Sequence, residues 1–312
     1  MRRSGIGLWT LLGALWVGVG LPWGWSAAET FTVASFNLEN YLESPRGNRP
    51  AKPAESKSKV RESLLAIRAD VVALQEIGDL DALHNLRGAL QRQGLDYPHW
   101  EHVRGHDAIL FVGVLSRYPI VARRPHTNEQ FLLQGRRFQV NRGFAEVDIQ
   151  VNPHYTFTLI TAHLKSRRES ASADQADLRE QEALLLREKV DARLAATPDA
   201  NLVVLGDLND TKDSRTLRIL RGRGKLALVD TRPAERNGDN HPSAGRALDA
   251  RRITWTYYYA KEDRYDRLDY ILLSPGLARE WLPEGTYVFA LPNWGLASDH
   301  RPVVAAFAAE ER

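Results

Sequence analysis

The 312 residues contain no cysteine and a single methionine. Without cysteine there are no disulfides and no thiolate chemistry, so the chain must hold together by packing alone. The G-x-S-x-G elbow, the P-loop and the H-E-x-x-H helix are also missing. Charge of one sign is scarce as well: 42 Lys and Arg face 39 Asp and Glu, a formal +3. Arg2 and Arg3 belong to the amino-terminal leader, so the remainder of the chain carries 3 − 2 = +1. Any case for a polyanionic partner must therefore be local. There is no internal repeat and no composition shift that marks a domain boundary.

Arg2 and Arg3 precede an uncharged run from Ser4 to Ala28 that ends in Ser26-Ala27-Ala28. A basic start, an apolar run and small residues form the pattern of a secretory signal, expected to be cleaved after Ala28. The alternative is an uncleaved anchor, since the run is long enough to span a bilayer. The expectation is a periplasmic or secreted protein, monomeric and without stable membrane association after cleavage. Residues 29–312 suit one large domain with a substantial core.

Asn201 to Asp210, NLVVLGDLND, organises the reading. A short β-branched run reads as a buried strand that breaks at Gly206 and delivers Asp207, Asn209 and Asp210 at its tip. Other apolar runs end alike. Phe31–Phe36 leads to Asn37 and Glu39, Asp70–Leu74 to Glu76, Tyr155–Thr161 to His163, and Asp269 opens a strand running to Leu273. Asp299-His300 precedes the strand Val303–Phe307. Helices are expected behind Ser58 (Val60, Leu64, Ile67), around Leu83–Leu90, over Asp174–Ala195 and near Leu217–Leu220. Phe138–Ile149 is expected to pair with Tyr155–Thr161 through an Asn152-Pro153 turn, and Thr254–Tyr259 reads as a strand. Glu43–Ser58 and Arg232–Arg252 read as exposed polar loops. Many strands with few helices predict two packed sheets with helices outside, in one α/β domain of α+β type.

The strand tips carry hard oxygen donors suited to Mg²⁺ or Mn²⁺ and two histidines able to donate or exchange protons. That inventory favours attack of an activated water on a metal-bound phosphate. SFNLEN, LQEI, TAHLKS, GDLND, RLDYILLS and SDHRPV, in that order between Ser35 and Val303, resemble the endonuclease/exonuclease/phosphatase superfamily. The resemblance implies a four-layer αββα sandwich, two mixed β-sheets flanked by helices. It implies Glu76 as main metal ligand, Asp299 near the metal, and Glu39 at a place that holds a second carboxylate in only some members. Asn37 would support the site, and Asp207 would position or deprotonate water. Asn209 would hold the phosphate or Asp207 itself, and His163 would bond the phosphate or leaving oxygen. His300 would contact phosphate, oriented and charged by Asp269. The identity of the general base and the number of metals stay open.

Asp210 and Asp266 read as caps or turn formers, the remaining histidines as packing or surface residues, and the charged face of the long helix as solvated. Trp255 and Tyr257–Tyr259 read as an amphipathic strand or a stacking platform. Arg117, Arg123, Arg124, Arg136, Arg137, Arg142, Lys165, Arg167 and Arg168 would track a phosphate backbone if they rim the site. Inositol phosphatases carry a cysteine signature where this chain has Asp263–Arg267, which counts against them. The expected function is a metal-dependent nuclease. A phosphomonoesterase or a lipid phosphodiesterase of sphingomyelinase type is the enzymatic alternative, and a binding domain without catalysis the remote one.

Overall fold

Val71–Leu74 and Leu202–Leu205 are apolar at every position, a pattern suited to strands covered on both faces. The computed structural model describes residues 29–235 and 254–311, and both segments lie centrally in its sheets. The first sheet runs, in spatial order, β12 (Ala234–Glu235), β16 (Trp281–Val288), β17 (Val303–Ala308), β1 (Thr30–Tyr41), β2 (Val71–Ile77), β4 (Phe111–Ser116) and β3 (His99–Val103). The second runs β11 (Val229–Asp230), β15 (Asp269–Leu273), β10 (Leu202–Asp207), β9 (Tyr155–His163), β8 (Phe144–Asn152) and β5 (Ile120–His126). Both are mixed: β1 runs parallel to β2 and β10 parallel to β9, among antiparallel neighbours.

Strand alternation sorts each side chain into one of three cores. Phe31, Val33, Val71, Ala73, Phe157, Leu205, Ile271 and Phe307 fill the space between the sheets. Ala34, Phe36, Val72 and Leu74 point the other way, onto α1 (Ala54–Ile67) and α2 (Leu80–Gln91), which contribute Val60, Leu64, Leu83 and Leu86. Leu202, Val204, Tyr270 and Leu272 pack on α3 (Gln175–Ala196) and α4 (Arg215–Arg221). The αββα sandwich follows from these two-sided strands.

Several boundaries differ from the sequence reading. α1 starts behind Pro53 with no side-chain cap, so Ser58 lies inside it. Phe138 belongs to a separate hairpin, β6 (Gln130–Leu133) with β7 (Arg136–Gln139), rather than to β8. Only Tyr257–Tyr259 of the expected Thr254 strand pairs, as β13, with β14 (Arg264–Asp266). The helix face read as solvated is partly a polar dock: Arg179, Glu182 and Arg187 of α3 are buried. Glu182 accepts from the backbone N–H groups of Asn141 (3.1 Å) and Lys165 (2.6 Å), and Arg187 donates to the carbonyls of Leu220 and Leu226 at 3.0 Å. The leader and most of the second polar loop lie outside the described residues, among which no helix is long and apolar enough to cross a membrane.

Gly206 has φ +139°, and a Cβ there would overlap the Ala162 carbonyl oxygen on β9. Gly206→Ala should therefore destabilise the fold by about 3 kcal/mol or more through strain and overpacking. Thermal melting followed by circular dichroism checks this, and an unchanged Tm would contradict the close approach of β10 and β9.

Candidate active site

Asn37, near the end of β1, and Asp207, at the end of β10, face each other across the two sheets. Asn37 Nδ2 donates to Asp207 Oδ2 at 2.9 Å. The other oxygen, Oδ1, accepts from the Asn209 backbone N–H at 2.9 Å, with Asn209 in the left-handed region at φ 54°. The Asn209 side chain points away and donates to the Leu164 carbonyl at 3.0 Å. It thus holds Asp207 through its backbone, while its amide pins the loop after β9.

Two imidazoles converge on that same Asp207 Oδ2. His163 Nε2 lies 3.3 Å away and His300 Nε2 3.7 Å away. His300 Nδ1 is 2.8 Å from Asp269 Oδ2. Asp269 lies opposite Asp207 in the β10–β15 pairing, and Thr256 Oγ1 accepts from the N–H groups of Leu268 (3.0 Å) and Asp269 (3.1 Å). Ser298 Oγ donates to the Asn37 carbonyl at 2.8 Å and accepts from His300 N–H at 3.0 Å, tying the terminal Asp-His segment to β1.

The two equally buried histidines end in opposite charge states. It drives His163 well below its usual range, with Arg142, His300 and Arg49 adding like charge, so His163 is neutral. Burial also disfavours the charged form of His300, but the Asp269 and Asp207 carboxylates overcome it and hold the ring well above the usual range, as an imidazolium. Asp207 itself is pushed up to about 7 by burial, against the pull of His300 and with Asp269 adding repulsion. A carboxylate poised near neutrality can accept a proton from water.

A second, acidic tier sits beside this cluster. Glu76 has φ 58° in β2, where the register shifts between Gln75 and Ile77. Its Oε2 accepts from the Asn40 N–H at 2.9 Å. Glu39 and Asn40 are also left-handed, at φ 47° and 53°, where β1 shifts register. Four non-glycine residues with positive φ at one site are local strain of roughly 1–2 kcal/mol each, held in place by the surrounding sheets. Burial raises Glu39 and Asp299, and each is raised further by carboxylate neighbours, Asp299 and Glu76 for the first and Glu76 for the second. Asp299 Oδ1 lies 4.0 Å from His300 Nε2.

The sequence-predicted residues thus fall into two adjoining groups: Asn37, His163, Asp207, Asn209, Asp269 and His300 in one, and Glu39, Glu76 and Asp299 in the other. Among the described residues, the groups with ligand atoms within 4.8 Å of one another are Asp207, Asp269 and His300. Both Asp207 oxygens and His300 Nδ1 are already engaged by Asn37, Asn209 and Asp269, while Asp269 Oδ1 has no hydrogen-bond partner. The acidic tier has hard oxygens and mutual repulsion that a cation would relieve, so it fits Mg²⁺ or Mn²⁺ better.

Sequence reasoning missed Lys52, Arg49, Ser298 and Thr256. Lys52 and Arg49 lie on the loop read as exposed, yet Lys52 Nζ donates to the Glu39 carbonyl at 2.9 Å and Arg49 bonds Asn40 Oδ1. No local pattern marks either; Ser298 alone had a signal, its place beside Asp299-His300. Asp210 and Asp266 do more than cap turns: Asp266 pairs with Arg167 at 2.9 Å and Asp210 with Arg179 at 3.1 Å.

Part of the arginine series is paired with carboxylates and part is held by backbone or amide oxygens. Arg117 pairs with Asp70, Arg123 with Glu101 and Arg124 with Glu146 and Asp148. Arg136 donates to the Ser172 carbonyl, Arg137 to Gln130, and buried Arg142 to the Leu164 carbonyl. The Tyr257 ring centroid lies 4.7 Å from that of His300 and 6.4 Å from that of Tyr259. Trp255, Tyr258, Tyr265 and Trp294 form a separate aromatic group, with centroid spacings between 4.7 and 5.1 Å.

Residues 34–300 match the Endonuclease/Exonuclease/phosphatase family. No curated protein matches the chain. Among solved structures, truncated TDP2 of Caenorhabditis elegans is similar at TM-score 0.59 and 15% identity, over 90% of this chain and 98% of that one. Sphingomyelinase C from Streptomyces griseocarneus is similar at TM-score 0.55 and 21% identity, over 89% and 99%. The human Nocturnin catalytic domain with bound sulfate anion is similar at 0.60 and 15%, over 90% and 95%. At these identities the likeness concerns the fold.

The His300 geometry generates a test. Asp269→Asn removes the charge that keeps the ring cationic, so turnover at neutral pH should fall on the order of tenfold to a thousandfold, the range for one preorganised electrostatic donor. Because the variant's His300 pKa is lowered, its activity relative to wild type should rise as pH falls and the imidazolium returns. Absolute recovery should be partial, since Asp207 loses its proton-accepting form below about 7. His300→Ala should lose at least as much with no relative gain in acid, and the double variant should be no worse. Multiplying losses in the pH–rate profiles would mean that Asp269 acts apart from His300.

Proposed function

Because the chain belongs to the Endonuclease/Exonuclease/phosphatase family, whose hydrolases act on phosphoester bonds with divalent metals, we propose that it is an exported metal-dependent phosphodiesterase that hydrolyses nucleic acid by attack of an activated water on phosphorus. The observation that carries the reaction is the convergence of Asn37, His163 and His300 on one oxygen of buried Asp207. Asn37 and the Asn209 N–H fix the carboxylate's orientation, and burial lifts its affinity for a proton, so Asp207 takes the proton of the attacking water. His300, held cationic by Asp269, faces the charge that grows on the phosphate. Neutral His163 supplies a hydrogen bond without adding charge. Glu76, Asp299 and Glu39 would hold Mg²⁺ or Mn²⁺, which when bound supplies Lewis-acid charge to the phosphate oxygens.

The Tyr257–Tyr259 pair supports nucleic acid as substrate. Tyr257 packs against His300 and Tyr259, and the Arg264 guanidinium lies 5.4 Å from the Tyr259 ring centroid, so a base next to the scissile phosphate would find aromatic rings with a guanidinium beside them. A second reading, a lipid phosphodiester, is favoured by one observation: Tyr265 (51% exposed) and Leu296 (42%) present apolar surface around Trp255 and Trp294.

A substrate panel of plasmid DNA, RNA, a generic phosphodiester, a phosphomonoester and sphingomyelin, each with Mg²⁺ or Mn²⁺ and with EDTA, separates these. Nucleic acid and the generic diester should be cleaved with metal and left intact in EDTA. Full activity in chelator would overturn the metal requirement, and turnover of sphingomyelin alone would install the lipid reading. Mass spectrometry of protein from its native host should find the amino terminus at or near Glu29. Intact Met1 in the membrane fraction would instead identify an anchored enzyme.

A further inference from the structure

We propose that Lys52 is a built-in counter-cation of the acidic tier, limiting how tightly and how many divalent ions the tier binds. The inference rests on the reading that Glu39, Glu76 and Asp299 hold the metal. Lys52 sits at the base of the loop between β1 and α1, and its backbone N–H bonds the Leu42 carbonyl at 3.0 Å. Its side chain is 4% exposed. Nζ donates to the Glu39 carbonyl at 2.9 Å and lies 3.8 Å from Glu39 Oε2, within electrostatic reach of Asp299 and Glu76. A side chain so enclosed is not free to swing toward substrate, and its charge acts on the carboxylates around it.

Charge balance then sets the consequence. Three carboxylates and one ammonium sum to −3 + 1 = −2, which one divalent ion neutralises. A second ion would meet no uncompensated charge within the tier itself, and would face the repulsion of Lys52 and of the His300 imidazolium 4.0 Å from Asp299. Even the first ion is opposed by a fixed positive charge at short range, so affinity is lower than three carboxylates would otherwise give. Lys52 works through the ligands and not on the substrate; it is a positioning residue. Its charge also offsets repulsion among the three carboxylates before metal arrives.

The test is Mn²⁺ binding to the full chain, by electron paramagnetic resonance and calorimetry, with thermal melting alongside. Wild type should bind one ion at the tier. Lys52→Met, which keeps chain length and removes charge, should bind Mn²⁺ at least tenfold tighter or take up a second ion. The added Mn²⁺ should also raise its Tm more than that of wild type, as tighter binding to the native state requires. Lys52→Arg should retain the wild-type affinity and stoichiometry. Lys52→Gln, which preserves a donor to the Glu39 carbonyl, replaces Lys52→Met if that variant does not fold. Unchanged affinity and stoichiometry in the charge-removing variant, with Glu76→Ala still abolishing binding, would overturn the role of Lys52 alone. Wild-type Mn²⁺ binding by Glu76→Ala would instead overturn the ligand assignment on which it rests.

Discussion

Placing the Asp207 carboxylate between two sheets strips it of water, a loss worth several kcal/mol for an ion in a protein interior. Much of the surrounding arrangement answers that loss. Asn37 reaches from the first sheet, the Asn209 N–H turns back from the strand's own tip, and two imidazoles close the remaining side. Compensation is incomplete, and the residue keeps an affinity for protons near neutrality. The same incompleteness that weakens the fold locally makes the carboxylate a competent proton acceptor.

The sandwich makes this possible because the two sheets present their strand ends at the same edge. β1 and β2 contribute Asn37, Glu39 and Glu76; β9, β10 and β15 contribute His163, Asp207 and Asp269. Neither sheet holds the site alone. Register shifts in β1 and β2, with left-handed residues at Glu39, Asn40 and Glu76, turn carboxylates out of the sheet and toward the second tier. The Ser298 hydroxyl then ties the terminal segment to β1, so His300 cannot move independently of Asn37.

Electrostatics at the rim argue against a simple basic track. The arginines of the middle of the chain are engaged by Asp70, Glu101, Glu146, Asp148 and backbone carbonyls, and they brace the second sheet and its loops. What adjoins His300 is aromatic: Tyr257 and then Tyr259. This side of the site offers ring surface more than long-range charge, in keeping with the small net charge of the chain.

Most strand runs, the class of fold and the residue types at each strand end are legible in the sequence, though Phe138 lies in a separate hairpin and only Tyr257–Tyr259 of the Thr254 run pairs. These depend on near neighbours: two-sided apolar strands such as Val71–Leu74 declare themselves by composition, and Gly206 followed by Asp207 marks a strand tip. The six ordered motifs identified the residues that the structure assembles into two groups. Tertiary structure decided what those residues do to one another. Asn37 and Asp207 are 170 positions apart, and nothing local announces their hydrogen bond. Burial leaves His163 neutral, while His300, just as buried, is held charged by the Asp269 and Asp207 carboxylates. The anchoring of the arginine series and the burial of Lys52 in a loop of exposed composition depend on which elements pack together. Composition and periodicity report the backbone's local preference, while charge state, pairing and burial depend on distances between residues far apart in the chain.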